Sequence, residues 1–167
     1  SAQYVLLKDF TLQNMDYGIS FELSSGANVI SNVLIRDGGA AGVRFTQSSG
    51  NRLAHSVVTR NTGYGVVSGS AGDNTFDNCI VWDSGLSPVR LSDGTMAFTS
   101  SVLYASGSSN YCYQLITNAT IRADFNNLFI TNGAQIGIVN AVPMERLPQW
   151  IAATTQDRFA QLVATGI

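Results

Sequence analysis

Asn28, Asn51 and Asn74 open three successive segments that align without a gap at a spacing of 23 residues: NVISNVLIRDGGAAGVRFTQSSG, NRLAHSVVTRNTGYGVVSGSAGD and NTFDNCIVWDSGLSPVRLSDG. A fixed internal period of this length means that one supersecondary unit is being stacked. Within the unit, Ile30, Leu53 and Phe76 hold one apolar position, and Leu34, Val57 and Ile80 hold another four residues on. A later run reads Val43-Arg44-Phe45, Val66-Val67-Ser68 and Val89-Arg90-Leu91. Short β-branched runs bounded by Gly, Asn, Ser and Asp are strand and turn signals, and no helical period fits them.

A unit of this size with two or three short strands cannot bury its apolar face alone, so successive units must stack with equivalent residues above one another. Parallel neighbours then lie about 4.8 Å apart. Asn28, Asn51 and Asn74 are expected to form a ladder of amides, each donating and accepting along the stack, and to tolerate the left-handed backbone of a tight corner. The outer units fit after small slips. Gly18-Ile19-Ser20-Phe21 falls on Gly42-Val43-Arg44-Phe45, and Phe98, Val102, Leu103 and Tyr104 fall 22 residues after Phe76, Ile80, Val81 and Trp82. Asn126-Asn127-Leu128-Phe129-Ile130 with Gly137-Ile138-Val139 reads as a sixth unit.

The pattern of Asn, apolar residue, turn, Gly-Val or Gly-Ile and apolar strand resembles the right-handed parallel β-helix of the pectate-lyase-like superfamily. It is carried by Gly18-Ile19, Gly42-Val43 and Gly65-Val66 with the Asn column before them, over roughly residues 4–140. The expected fold is all-β, a right-handed parallel β-helix (solenoid) of about six coils over residues 1–146, with a short helical capping or flanking segment over 147–167. In that segment Pro148 suits a first helical turn, Thr154 with Asp157 suggests a cap, and Phe159, Leu162 and Val163 suggest an apolar helical stripe. Gly166 is a plausible stop, and a single helix or a helical pair is expected. The spacing of Trp150, Thr154 and Asp157 also resembles a segment that follows the late coils of large secreted bacterial β-helix proteins. With no capping helix before Tyr4, the chain is expected to be a piece of such a protein, extracellular or at the cell surface. Its N-terminal coil is then expected to self-associate or to meet a companion chain.

One domain accounts for 167 residues. A net charge of -2, a pI near 5.1 and a single lysine, Lys8, argue against a nucleic-acid or anionic-membrane surface. No apolar run reaches the length of a membrane span. Cys79 stands where Val33 and Ser56 stand in earlier coils and reads as a packed residue. Whether it pairs with Cys112 is left open by spacing, and two Cys with one His make no metal pattern. No cofactor is expected.

Alternation turns Arg44 and Arg90 outward if Val43 and Phe45 point inward, two coils or about 10 Å apart, a span comparable with consecutive acidic sugars. A second column reads Asn14, Asp37, Arg60, Asp83. Asp37 and Asp83 stand near the separation of an inverting glycosidase pair, yet Arg60 between them stabilises both ionised forms, so an ion-pair ladder is the favoured reading. Trp82 and Tyr104 succeed Arg36 and Thr59. Exposed, they make an aromatic strip; buried, they are corner packing, which is favoured. His55, in the column of Asn32 and Asn78, reads as a hydrogen-bonded substitute for an amide.

No match is found to the lysine or arginine constellations of pectate lyases, the three aspartates of polygalacturonases, or the Tyr-Gly-x-Asp-Pro-His motif of alginate epimerases. The expected function is a carbohydrate-associated segment that binds or presents polysaccharide through Arg44, Arg90, Trp82 and Tyr104, without a complete catalytic site. Two alternatives stand beside it: a fragment of a polysaccharide lyase or glycoside hydrolase using Asp37, Asp83 and an arginine, and a structural or adhesive stalk of the tailspike kind.

Overall fold

The computed structural model describes residues 4–116 and 118–165. In chain order its elements are β1 (Leu6–Gln13), β2 (Tyr17–Glu22), β3 (Val29–Arg36), β4 (Ala41–Thr46), β5 (Arg52–Ala54), β6 (Val57–Thr59), β7 (Tyr64–Gly69), β8 (Ala71–Asp77), β9 (Ile80–Trp82), β10 (Val89–Leu91), β11 (Gly94–Thr99), β12 (Val102–Ser106), β13 (Tyr111–Leu115), β14 (Thr120–Asp124), β15 (Asn127–Thr131), β16 (Gln135–Val139), β17 (Val142–Met144), α1 (Leu147–Thr154) and β18 (Gln161–Thr165). They form a parallel β-helix. The long β3 pairs with β5 through its first half and with β6 through its second. Two stacks diverge from it, β5-β8-β11-β14 and β6-β9-β12-β15-β18. The third stack is β2-β4-β7-β10-β13-β16, all parallel, with β17 added antiparallel at its end.

The register follows the repeat. Ile19, Val43, Val66, Val89, Tyr113 and Gly137 are successive partners in the third stack. Both slips are present, since Phe21 pairs with Phe45 and Phe98 with Phe76. The amide ladder is present as well: Asn28 Nδ2 donates to Asn51 Oδ1 at 2.8 Å, and Asn51 Nδ2 to Asn74 Oδ1 at 3.0 Å. One expectation about it is corrected. The left-handed residues at this corner are Ala27, Gly50 and Asp73, with φ of 56°, 73° and 52°, each just before the ladder asparagine. The sharp bend falls one residue early, which turns each amide inward along the axis.

Inward residues of the three stacks meet in one core with an aromatic spine. Phe21 stacks on Phe45 at 4.8 Å, Phe76 on Phe98 at 5.0 Å, and Tyr113 on Trp150 at 4.9 Å, with edge contacts joining the pairs. Cys79 and Cys112 are free thiols, both buried. Burial pushes Cys79 up to about 11 and raises Cys112 as well, so neither is a ready nucleophile.

The C-terminal segment bears out the expected short helix and differs from expectation beyond it. It holds one short helix, α1, after which the chain rejoins the second stack as β18, parallel to β15. Leu162 and Val163 are therefore strand residues, and Phe159 is exposed, stacked on Phe125 at 5.3 Å. Pairing with the free edge of β15 satisfies a whole row of backbone groups, which an isolated second helix of this length could not match. Thr154 is not a cap: it lies in the last turn of α1, its hydroxyl donating to the Trp150 carbonyl at 2.7 Å. Asp157 is buried, accepting from Asn126 Nδ2 at 2.9 Å and Trp150 Nε1 at 3.1 Å. The Trp, Thr and Asp of that spacing thus form a plug at the end of the core. Gly166 lies outside the described residues.

Candidate functional site

The outer face of the third stack carries Ser20, Arg44, Val67, Arg90 and Gln114 in one column. Their neighbours Val43, Phe45, Val66, Val89 and Leu91 are fully buried, so alternation forces both arginines outward. Each lies over a tyrosine: the Arg44 guanidinium is 4.2 Å from the Tyr17 ring centre, and that of Arg90 is 5.2 Å from Tyr64. The tyrosines are themselves two rungs apart, with Ala41 between them in register. Each Tyr-Arg clip joins neighbouring strands, Tyr17 of β2 with Arg44 of β4 and Tyr64 of β7 with Arg90 of β10, so the motif recurs at two rungs, about 10 Å, with Ala41 between the tyrosines in their column and Val67 between the arginines in theirs. Between them runs a shallow groove of about 290 Å³ lined by Tyr17, Arg44, Tyr64, Val67, Arg90 and Ser92.

The two arginines are not equivalent. Arg44 is paired with Glu22, and its Nε donates to Ser20 Oγ at 3.0 Å. Arg90 has no carboxylate partner among the described residues, and its Nε is buried without a hydrogen-bond acceptor. The positive charge of the groove is thus concentrated at Arg90. The tyrosines escaped the sequence reading, although Tyr17-Gly18 and Tyr64-Gly65 stand immediately before the Gly-apolar step that aligned the coils.

Trp82 and Tyr104 do not join this face. They project from β9 and β12 of the second stack, around a corner from Arg90, and Phe129 of β15 follows them in register. Trp82 is 37% exposed and Tyr104 half-buried, their rings stacked at 4.3 Å and 17°, with Phe129 tilted against Trp82 at 5.5 Å. Mutual stacking covers one face of each ring. The four residues expected to form one surface are two separate ones.

Asp37, Arg60 and Asp83 share a corner in the left-handed conformation, with φ of 56°, 52° and 54°. Arg60 is bidentate on Asp37, Nε to Oδ1 at 2.8 Å and the terminal nitrogen to Oδ2 at 2.9 Å, and Arg36 Nε lies 3.7 Å away. The Arg60 hydrogen bond holds the Asp37 carboxyl below its ordinary value. A general acid requires the opposite shift. Asp37 contributes stability that is present above its unfolded value of about 3.9 and lost as pH falls through the lowered folded value. Asp37→Asn is expected to leave the midpoint of urea unfolding at pH 7 within error of the parent, because solvent screens so exposed a pair. A shift of several tenths molar would show the corner to be structurally critical. His55 is exposed, at φ 49°, and its imidazole makes no hydrogen bond among the described residues, so it is no substitute for an amide. A non-glycine residue at a left-handed corner explains it better.

Among the described residues no group of three or more His, Cys, Asp and Glu stands together to hold a metal ion. Among the described residues no helix is long and apolar enough to cross a membrane. Compared with known proteins, residues 1–143 match the family model described as the right handed beta helix region. No curated protein and no solved structure matches the chain.

Proposed function

Because the chain belongs to the right-handed β-helix family, whose coils present long flat sheets to solvent, we propose that it binds an acidic polysaccharide along the outer face of its third stack and has no catalytic centre of its own. The observation that carries this reading is the pair of Tyr-Arg clips, Tyr17 with Arg44 and Tyr64 with Arg90, repeated every second rung beside one groove. A repeating anionic polymer laid along the axis meets a cation and an aromatic wall at a constant interval. The ionised, Arg60-bound state of Asp37 supports the non-catalytic half of the reading. In this reading the protein works outside the cell or at its surface, and the exposed Leu6 and Leu7 of β1, with Tyr4 before it, favour contact of that rung with a further coil.

Titration calorimetry with polygalacturonate and alginate tests the proposal. Arg90→Ala is expected to weaken binding by at least about tenfold, the usual cost of a lost charge-assisted contact, and to flatten its salt dependence. Arg44→Ala is expected to do less, since Glu22 already compensates that charge. Unchanged affinity in Arg90→Ala moves the site elsewhere. Absence of binding to either polymer leaves the stalk reading, and an ultraviolet-absorbing unsaturated product would restore the lyase.

A further inference from the structure

Arg90 is followed in register by Gln114 and then by Ile138, so the column that carries the clips continues for two more rungs. There the surface changes character. A second cavity of about 300 Å³ opens, lined by Gln114, Leu115, Ile116, Ile138, Asn140 and Ala141. Its outer wall is the hairpin between β16 and β17, where Val139 pairs with Val142 across a two-residue loop. Asn140 and Ala141 both have positive φ, 48° and 65°, the type I′ geometry that lets a hairpin fold back tightly. The Asn140 N–H donates to the Leu115 carbonyl at 3.3 Å and ties the loop to the neighbouring rung. The cavity is therefore held open by backbone geometry, with aliphatic walls, the Gln114 amide on the side nearest Arg90 and the Asn140 amide at the loop.

Building on the acidic-polysaccharide reading, we infer that this cavity takes an O-acetyl substituent of the same polymer, making the preferred ligand an acetylated uronate glycan. An acetyl ester presents a methyl group and one carbonyl acceptor, which matches aliphatic walls flanked by the Gln114 and Asn140 amides, either able to donate. A bare uronate has nothing to place there. Its carboxylate meets no cation in the cavity, and its hydroxyls would displace water from apolar walls without replacing the lost hydrogen bonds. One rung separates Gln114 from Arg90 and two separate Ile138 from it, about 5 and 10 Å, so carboxylate and acetyl group can be read from neighbouring sugars of one chain.

The test compares a partly O-acetylated polygalacturonate with the same preparation after mild alkaline de-O-acetylation, which leaves length and charge unaltered. The parent protein is expected to bind the acetylated form about tenfold more tightly, the lower end of what an apolar pocket gains from one small group. Gln114→Ala and Ile138→Thr should each bring the ratio of the two affinities to about one. Should Ile138→Thr fail to fold by circular dichroism, Gln114→Ala alone decides. Equal binding of both forms by the parent, or a preference that survives both substitutions, overturns the inference and leaves the polysaccharide reading intact. Binding of neither form overturns both.

Discussion

Trp150→Ala is expected to lower stability by about 3–5 kcal/mol, the range for removing a fully buried large aromatic. The indole is completely buried, stacks on Tyr113 at 4.9 Å, and donates through Nε1 to Asp157 at 3.1 Å. It sits over Gly137, where an added Cβ would lie 2.4 Å from the ring. Alanine would leave both a cavity and an under-hydrated carboxylate. Burial raises the Asp157 carboxyl above its ordinary value, opposed by its hydrogen bonds. The Asp157 contribution is therefore complete below its unfolded value of about 3.9 and is lost as pH rises through the raised folded value. Removing the Trp150 donor moves that loss to still higher pH. Urea unfolding followed by far-ultraviolet circular dichroism at two pH values measures both effects. A loss under about 1 kcal/mol would mean that the core ends before α1.

Asn51→Leu is expected to cost about 3 kcal/mol or more, although the side chains are similar in size. Asn51 is 1% exposed. Its carbonyl oxygen accepts from Asn28 Nδ2 at 2.8 Å, and its amide donates to Asn74 Oδ1 at 3.0 Å and to the Ser25 carbonyl at 3.1 Å. Leucine leaves several of these groups unpaired in an apolar interior, each costing about 1–3 kcal/mol. Asn28→Leu, at the half-buried end of the ladder, should cost clearly less. Equal losses at the two positions would contradict a gradient of burial along the ladder.

The coils were legible because the physics that forms them is periodic. A residue such as Val66 must face inward if Val43 and Val89 do, and the register of the third stack follows from that alone. The direction of Arg44 and Arg90 came with it. What the alignment did not carry was azimuth around the axis: Trp82 and Arg90 are eight positions apart in one coil, and only the corner between β9 and β10 sets them on different sheets. The C-terminal segment was misread for another reason. Phe159, Leu162 and Val163 suit a helical stripe, but the open edge of β15 offers β18 a row of backbone partners that no local pattern reveals. The cavity beside Ile138 depends on two consecutive left-handed residues, Asn140 and Ala141, and alanine gives little warning of that conformation.

Partners in the amide ladder are separated by 23 residues at each step, as are most strand pairs of the first coils. Against 167 residues that separation is about 0.14 of the chain, 23/167, within the range of mixed domains and below most all-β sandwiches. Each coil up to β15 closes a loop of 22–25 residues, and β18 closes one of 34, so closure entropy is nearly the same for every coil but the last. Among the described residues no strand pairing joins the first coil to the last. Folding can advance in the order of translation, each finished rung serving as the template for the next. Adding a coil changes neither the cost nor the geometry of those below it, and a stack of this kind can lengthen by duplication of a single segment.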